Sequence, residues 1–144
     1  TPDTLLDLVP IDWVDDAMVY IMAREESVGK VFHITAGPKR AARLDEVVVA
    51  AVKYFDKHAP LKHPRTMEFI TKEEYERRRA AMRGREEALM SQLDTLLPYV
   101  TVNRLFDSTN TDALLQGSGI VFPLFKDYSD RIFEYCLKTN WGKE

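Results

Sequence analysis

The sequence predicts a small mixed α/β fold, and three observations carry that expectation. Short β-branched or apolar stretches alternate with segments whose apolar residues recur at helical spacing. The alternation reads β-α-β-α-β-α-β-α, with about five helices and strands too short for a large sheet. The composition is that of a folded chain, with 45% hydrophobic and 30% charged residues among 144, enough for one compact unit spanning 1–144.

Leu5 to Val9 reads as a short strand stopped by Pro10. Asp12 stands where a helix N-cap is needed, and Val14, Ala17, Met18, Ile21 and Met22 follow at helical spacing. Asp15 and Asp16 suit the positive end of the helix dipole, and Gly29 closes the segment. Lys30 to Thr35 has the β-branched, apolar pattern of a buried strand, ended by Ala36-Gly37-Pro38. Leu44, Val47, Val48, Ala51, Val52 and Phe55 form one apolar face of a helix about three turns long, ended by His58-Ala59-Pro60.

Thr66 to Ile70 reads as a further strand. Thr71 and Glu74 make a capping box that opens a charged helix from Lys72 to about Leu97. Gly84 bends or interrupts that helix, and Leu89, Leu93, Leu96 and Leu97 restore an apolar face before Pro98. Val100 to Phe106 reads as a strand and Asp107-Ser108-Thr109-Asn110 as a turn. Thr111 to Gln116 is a short helix stopped by Gly117-Ser118-Gly119. Ile120 to Phe122 is extended, and Pro123 starts a final helix with Phe125, Tyr128, Ile132, Phe133, Cys136 and Leu137 on its apolar side.

Charge and cysteine content remove whole classes of function. Twenty Lys and Arg against 23 Asp and Glu give a net charge of −3, which argues against a nucleic-acid partner. The single cysteine, Cys136, excludes an internal disulfide and a multi-cysteine zinc site. Its place on the stripe of the last helix suits packing better than thiol chemistry. The apolar run from Val47 to Val52 is far shorter than a membrane span. The expected setting is cytoplasmic. The chain opens at Thr1 without methionine, with strand-like residues close behind, and this reads as a portion of a longer protein.

The side chains that can carry chemistry are dispersed. His58, His63 and Asp56 flank a proline-containing loop, but their spacing fits no common metal-ligand pattern, so no metal is expected. His33 lies on a strand edge, where a backbone-satisfied imidazole is the simpler reading. Arg77, Arg78, Arg79, Arg83 and Arg85 crowd the helix 72–87, interleaved with Glu73, Glu74, Glu76, Glu86 and Glu87. That is a solvated face laced with ion pairs. A narrower reading has the arginines holding the phosphates of an acyl carrier or nucleotide. Gly117-Ser118-Gly119 begins a glycine fingerprint, but Phe122 stands where the third glycine belongs. Asp12 and Asp107 serve as caps. No catalytic, cofactor-binding or metal-binding residue is expected, and no substrate-binding residue is assigned.

Several segments together resemble one family. Leu8-Val9-Pro10-Ile11-Asp12-Trp13-Val14 is similar to the V-P-[VI]-D-[YWH]-V motif of extended short-chain dehydrogenases/reductases, and Val31-Phe32-His33-Ile34-Thr35 resembles the strand that follows it there. Phe106-Asp107-Ser108-Thr109-Asn110-Thr111, with Gly119-Ile120, Pro123, Tyr128 and Tyr135, resembles the carboxy-terminal region of fatty acyl-CoA and thioester reductases of the male sterility-like type. The resemblance implies the carboxy-terminal, substrate-binding subdomain of a Rossmann-type reductase. An N-terminal Rossmann domain of the parent chain would hold NAD or NADP, and an acyl thioester would be the substrate. The family's Tyr-x-x-x-Lys pair is missing here, since the residues four beyond the tyrosines are Arg24, His58, Arg79, Asn103, Ile132 and Thr139. The chain alone is then expected to be inert. The strand at Leu5 to Val9, lacking its sheet, should leave an apolar surface there and on the first helix, open to self-association through the exposed edge. The competing reading is a non-catalytic protein-interaction or ligand-binding module.

Overall fold

The computed structural model describes residues 2–63, 67–94, 98, 102 and 104–142. The fold is mixed α/β and mostly helical, with one antiparallel pair of two-residue strands, β1 (Leu5–Leu6) and β2 (Ala42–Arg43). It divides into two compact units. One comprises Thr1–Leu6 with Arg43–Arg104, the other Asp7–Ala42 with Leu105–Glu144.

The second unit holds the core. Pro10, extended at φ −66° and ψ 139°, precedes helix α1 (Ile11–Met22). Proline is pre-set for such an entry, so the helix begins two residues earlier than an N-cap at Asp12 would dictate. Asp12 is therefore not the N-cap. It lies inside the first turn, where its charge meets the helix dipole. Trp13, Ala17 and Ile21 point inward and meet Leu115 of α6 (Thr109–Leu115). Phe122 meets the Trp13 ring edge to face at 4.8 Å. The chain leaves α1 through a 3-10 turn, Glu25–Ser27, and Gly29 at φ +73°.

Lys30 to Thr35, expected as a buried strand, forms no strand. Its carbonyls are taken by side chains instead: Asn110 Nδ2 donates to Val31 O at 2.8 Å and Thr111 Oγ1 to His33 O at 2.9 Å. With those acceptors satisfied, the segment holds its extended course without a ladder. Gly37 and Pro38 do not merely end this segment. They open a one-turn helix, α2 (Gly37–Arg40), that the sequence pattern did not suggest. Ile120 to Phe122 is irregular, and α7 (Phe125–Lys138) starts two residues after Pro123, with the Asp127 carboxylate accepting from Leu124 N–H at 2.8 Å. On α7 the expected apolar side is only half-buried, and Ile132 is exposed.

In the first unit, α3 (Leu44–His58) matches its expected face and its stop at Ala59. Its first amide donors go to the chain's own beginning, Leu44 N–H to Thr4 O at 2.8 Å and Asp45 N–H to Pro2 O at 3.1 Å. Those carbonyls replace a side-chain cap. Every residue of the apolar face, from Leu44 to Phe55, remains half-buried rather than buried.

The long charged helix is two helices, α4 (Lys72–Ala81) and α5 (Arg85–Asp94), separated at Gly84 with φ +64°. Thr71 Oγ1 caps α4 by accepting from Glu74 N–H at 3.2 Å. Of the expected strand Thr66 to Ile70, residues 67–70 form none and Thr66 lies outside the described residues. The same holds for Val100 to Phe106, whose described members carry no strand. Leu96 and Leu97, and the side chains of Leu89 and Leu93, also lie outside the described residues, so the apolar face assigned to them is untouched by these observations. The strand Leu5 to Val9 shortens to β1. Among the described residues, no helix is long and apolar enough to cross a membrane.

Candidate functional site

Among the described residues, a part-buried polar network joins residues 33–40 to residues 107–112 in the second unit. Asp7 accepts from Ala36 N–H at 2.7 Å and from the Thr35 hydroxyl. Arg40 donates from Nε to Ala36 O at 2.9 Å and from Nη2 to Asp112 Oδ1 at 2.6 Å, and its guanidinium lies over the Phe122 ring. Asp112 Oδ2 also accepts from Ser108 Oγ at 3.0 Å. Thr35, Ser108 and Thr111 are all buried. Each is hydrogen-bonded, as burial of a polar group requires.

Next to this network lies an open cleft of about 210 Å³, lined by Lys30, Phe32, Asn110, Ala113 and Leu114. Its lining combines the apolar Phe32, Ala113 and Leu114 with the ammonium of Lys30 and the amide of Asn110. Such a cleft can seat a small apolar group beside an anion. The sequence reading missed these residues as a set, because Lys30 and Asn110 are separated by most of the chain. The one signal was the Asp107-Ser108-Thr109-Asn110 run, taken as a turn. It does turn, with Asp107 Oδ1 accepting from Thr109 N–H at 3.0 Å and from Thr109 Oγ1 at 2.5 Å. Those bonds to Thr109, with the nearby His33, hold the Asp107 carboxyl below the usual range.

Ser, His and Asp occur together here without forming a nucleophilic relay. Ser108 donates its proton to a carboxylate, and its Oγ occupies the space that a side chain at Gly37 would need. His33 places Nδ1 3.0 Å from Asp107 O. A carbonyl only accepts, so Nδ1 carries the proton, and the ring leans on Phe106. The backbone-satisfied reading of His33 therefore describes what is seen. Tyr128 has a buried hydroxyl that makes no hydrogen bond to a described residue, and burial pushes its phenol above its ordinary value. A lone buried phenol offers no acid–base pair.

The other singled-out residues serve the fold. His58 stacks on Tyr54 at 4.3 Å at the end of α3. Among the described residues, no group of three His, Cys, Asp or Glu side chains could hold a metal. Gly117 and Gly119, at φ +78° and +81°, follow the end of α6 rather than opening a helix, so they do not make a pyrophosphate cradle. Cys136 is half-buried on α7.

The arginines of α4 are engaged by acids. Arg77 and Arg78 each reach Glu74 at 2.5 Å, Arg78 also reaches Glu68 at 3.0 Å, and Arg79 reaches Asp94 of α5 at 3.2 Å. Tyr75 donates to Asp94 at 2.5 Å. Arg77 and Arg78 lower the Glu74 carboxyl, and Tyr75 and then Arg79 lower that of Asp94. A carboxyl depressed in the folded state contributes stability above its unfolded value and loses it as pH falls through the folded one. The α4–α5 pairing is thus expected to hold from neutral pH to about pH 5 and to loosen below about pH 4. Chemical shifts of residues 72–94 followed by NMR would check this. Shifts that stay unchanged as pH falls well below the ordinary carboxylate range would contradict it.

Compared with known proteins, the chain matches no family model, no curated protein and no solved structure.

Proposed function

We propose that this chain is the substrate-binding, carboxy-terminal portion of an NAD(P)H-dependent reductase that acts on an acyl thioester or a related substrate. One observation carries the reading. The three segments that resemble such reductases are the ones that assemble the second unit. Pro10 and Trp13 of the first set α1 and its core, the second runs from Val31 to Thr35, and Asn110 and Thr111 of the third hold that run by its carbonyls. That residues scattered through the sequence come together in one unit supports the reading.

The residues present do not fit a dinucleotide. The only paired glycines follow the end of α6, and Phe122 and Pro123 come next. On this reading the cofactor belongs to a Rossmann domain of the parent chain. The role left to this portion is binding and shielding, with the cleft over Phe32, Ala113 and Leu114 as the place for part of the acyl group.

The test is the coding frame upstream of Thr1 together with the activity of the polypeptide it encodes. The expected findings are a glycine fingerprint, a Tyr-x-x-x-Lys pair and NADPH oxidation dependent on an added acyl-CoA. The 144-residue chain alone should show no NADPH binding by calorimetry. A start codon immediately before Thr1, or tight NADPH binding by the chain alone, would overturn the proposal.

A further inference from the structure

Helix α1 is apolar on two sides. Trp13, Ala17 and Ile21 form the buried one. On the other, Met18 and Met22 follow Ile11 by two and three turns, so all three share a stripe, with Val19 at its border. Exposure is 70% for Ile11, 45% for Met18, 69% for Val19 and 77% for Met22. The apolar surface expected near the beginning of the chain is therefore on this helix, while Leu5 to Val9 are half-buried. From Ile11 to Met22 the stripe runs about 16 Å, or three helical turns.

The charge around it is one-sided. Asp15 stands on the stripe and Asp12 beside it, with Asp16 further round the helix, and none of the three makes an ion pair with a described residue. The nearest cation along the chain, Arg24, is laid over the Tyr20 ring. Glu25 and Glu26 follow.

We propose that this face of α1 docks a basic amphipathic helix of a partner protein. Its apolar side chains would lie on Ile11, Met18, Val19 and Met22, and its Lys or Arg residues would meet Asp15 and Asp12, with Asp16 adding to the negative field. Two methionines make the surface adaptable to the shape of the partner's side chains, and recognition follows the helical i, i+4, i+7 register. Charge selects among the possible occupants. An anionic lipid surface would be repelled by the three aspartates. A second copy would set one acidic face against another, whether the helices ran parallel or antiparallel. The inference uses only α1, and it stands against the expectation that the parent chain's own sheet covers this face.

A fluorescent peptide of about 16 residues, leucine on one helical face and lysine on the other, is the probe. Anisotropy should show saturable binding to the 144-residue chain that weakens as salt rises. The Asp12→Asn/Asp15→Asn/Asp16→Asn variant should bind about tenfold more weakly, and Met18→Lys/Met22→Lys should abolish binding. All these positions are exposed, so circular dichroism should be unchanged. Equal binding of a glutamate-for-lysine peptide, binding that survives both variants, or none at about 1 mM peptide would overturn the proposal. So would a dimer in sedimentation that Met18→Lys/Met22→Lys dissociates, or flotation with phosphatidylserine vesicles.

Discussion

Trp13→Ala is expected to unfold the second unit or nearly so. The side chain is 5% exposed, meets Phe122 edge to face and sits among Ala17, Ile21 and Leu115. Among the described residues, Trp13 and those three form the buried apolar cluster, and half-buried side chains, Val14, Phe32 and Ile34 among them, pack against it. Truncation of a large buried aromatic costs about 3–5 kcal/mol. A domain of this size has about 5–15 kcal/mol in total, and this one buries few apolar side chains. Thermal denaturation followed by circular dichroism should show the main transition lost or lowered by well over ten degrees. Trp13→Phe is the control. The indole Nε1 makes no hydrogen bond to a described residue, so phenylalanine sacrifices volume but no polar contact. A melting temperature within a few degrees of wild type for Trp13→Ala would contradict this account of the core.

The second large effect is expected at Gly37. Its φ of +65° lies in the left-handed region, and a Cβ there would come within 2.4 Å of Ser108 Oγ and 3.1 Å of Ser108 Cβ. An alanine suffers twice, about 1–2 kcal/mol from backbone strain and more from pushing the Asp107–Asp112 turn away. Gly37→Ala should lower stability by about 2–4 kcal/mol in urea denaturation. Adding Ser108→Ala should recover only part, because the Cβ contact persists and the bond to Asp112 is lost. Full recovery in the double variant would mean that the hydroxyl contact alone set the cost. No change in Gly37→Ala would mean that the turn is not held as described.

What the sequence made legible was mostly local. The apolar periodicity of α3, the cap at Thr71, the break at Gly84 and the turn beginning at Asp107 are decided by neighbours within a few residues, and each is found. The strands failed for the opposite reason. Lys30 to Thr35 has strand composition, but a strand is defined by its partner, and here the partners are the side chains of Asn110 and Thr111, some eighty residues away in sequence. Asp12 was displaced as cap by Pro10, a residue that both ends an extended run and begins a helix. At the candidate site, His33 and Asp107 were singled out in their backbone-satisfied and turn roles. Gly37 was read only as punctuation. Its close approach to Ser108 is a long-range packing fact that no local pattern carries.

The interleaving of the two units bears on how the chain assembles. Residues 7–42 and 105–144 build one unit, and residues 1–6 and 43–104 build the other. A chain emerging from the ribosome at about 5–20 residues per second has α1 in hand long before α6 exists. During those seconds Trp13, Ala17 and Ile21 have no Leu115 to meet. Closing that contact across roughly a hundred residues costs loop entropy that grows only logarithmically with length. The delay is therefore set by synthesis more than by the closure, and the apolar side of α1 is a natural chaperone substrate until the last third of the chain arrives.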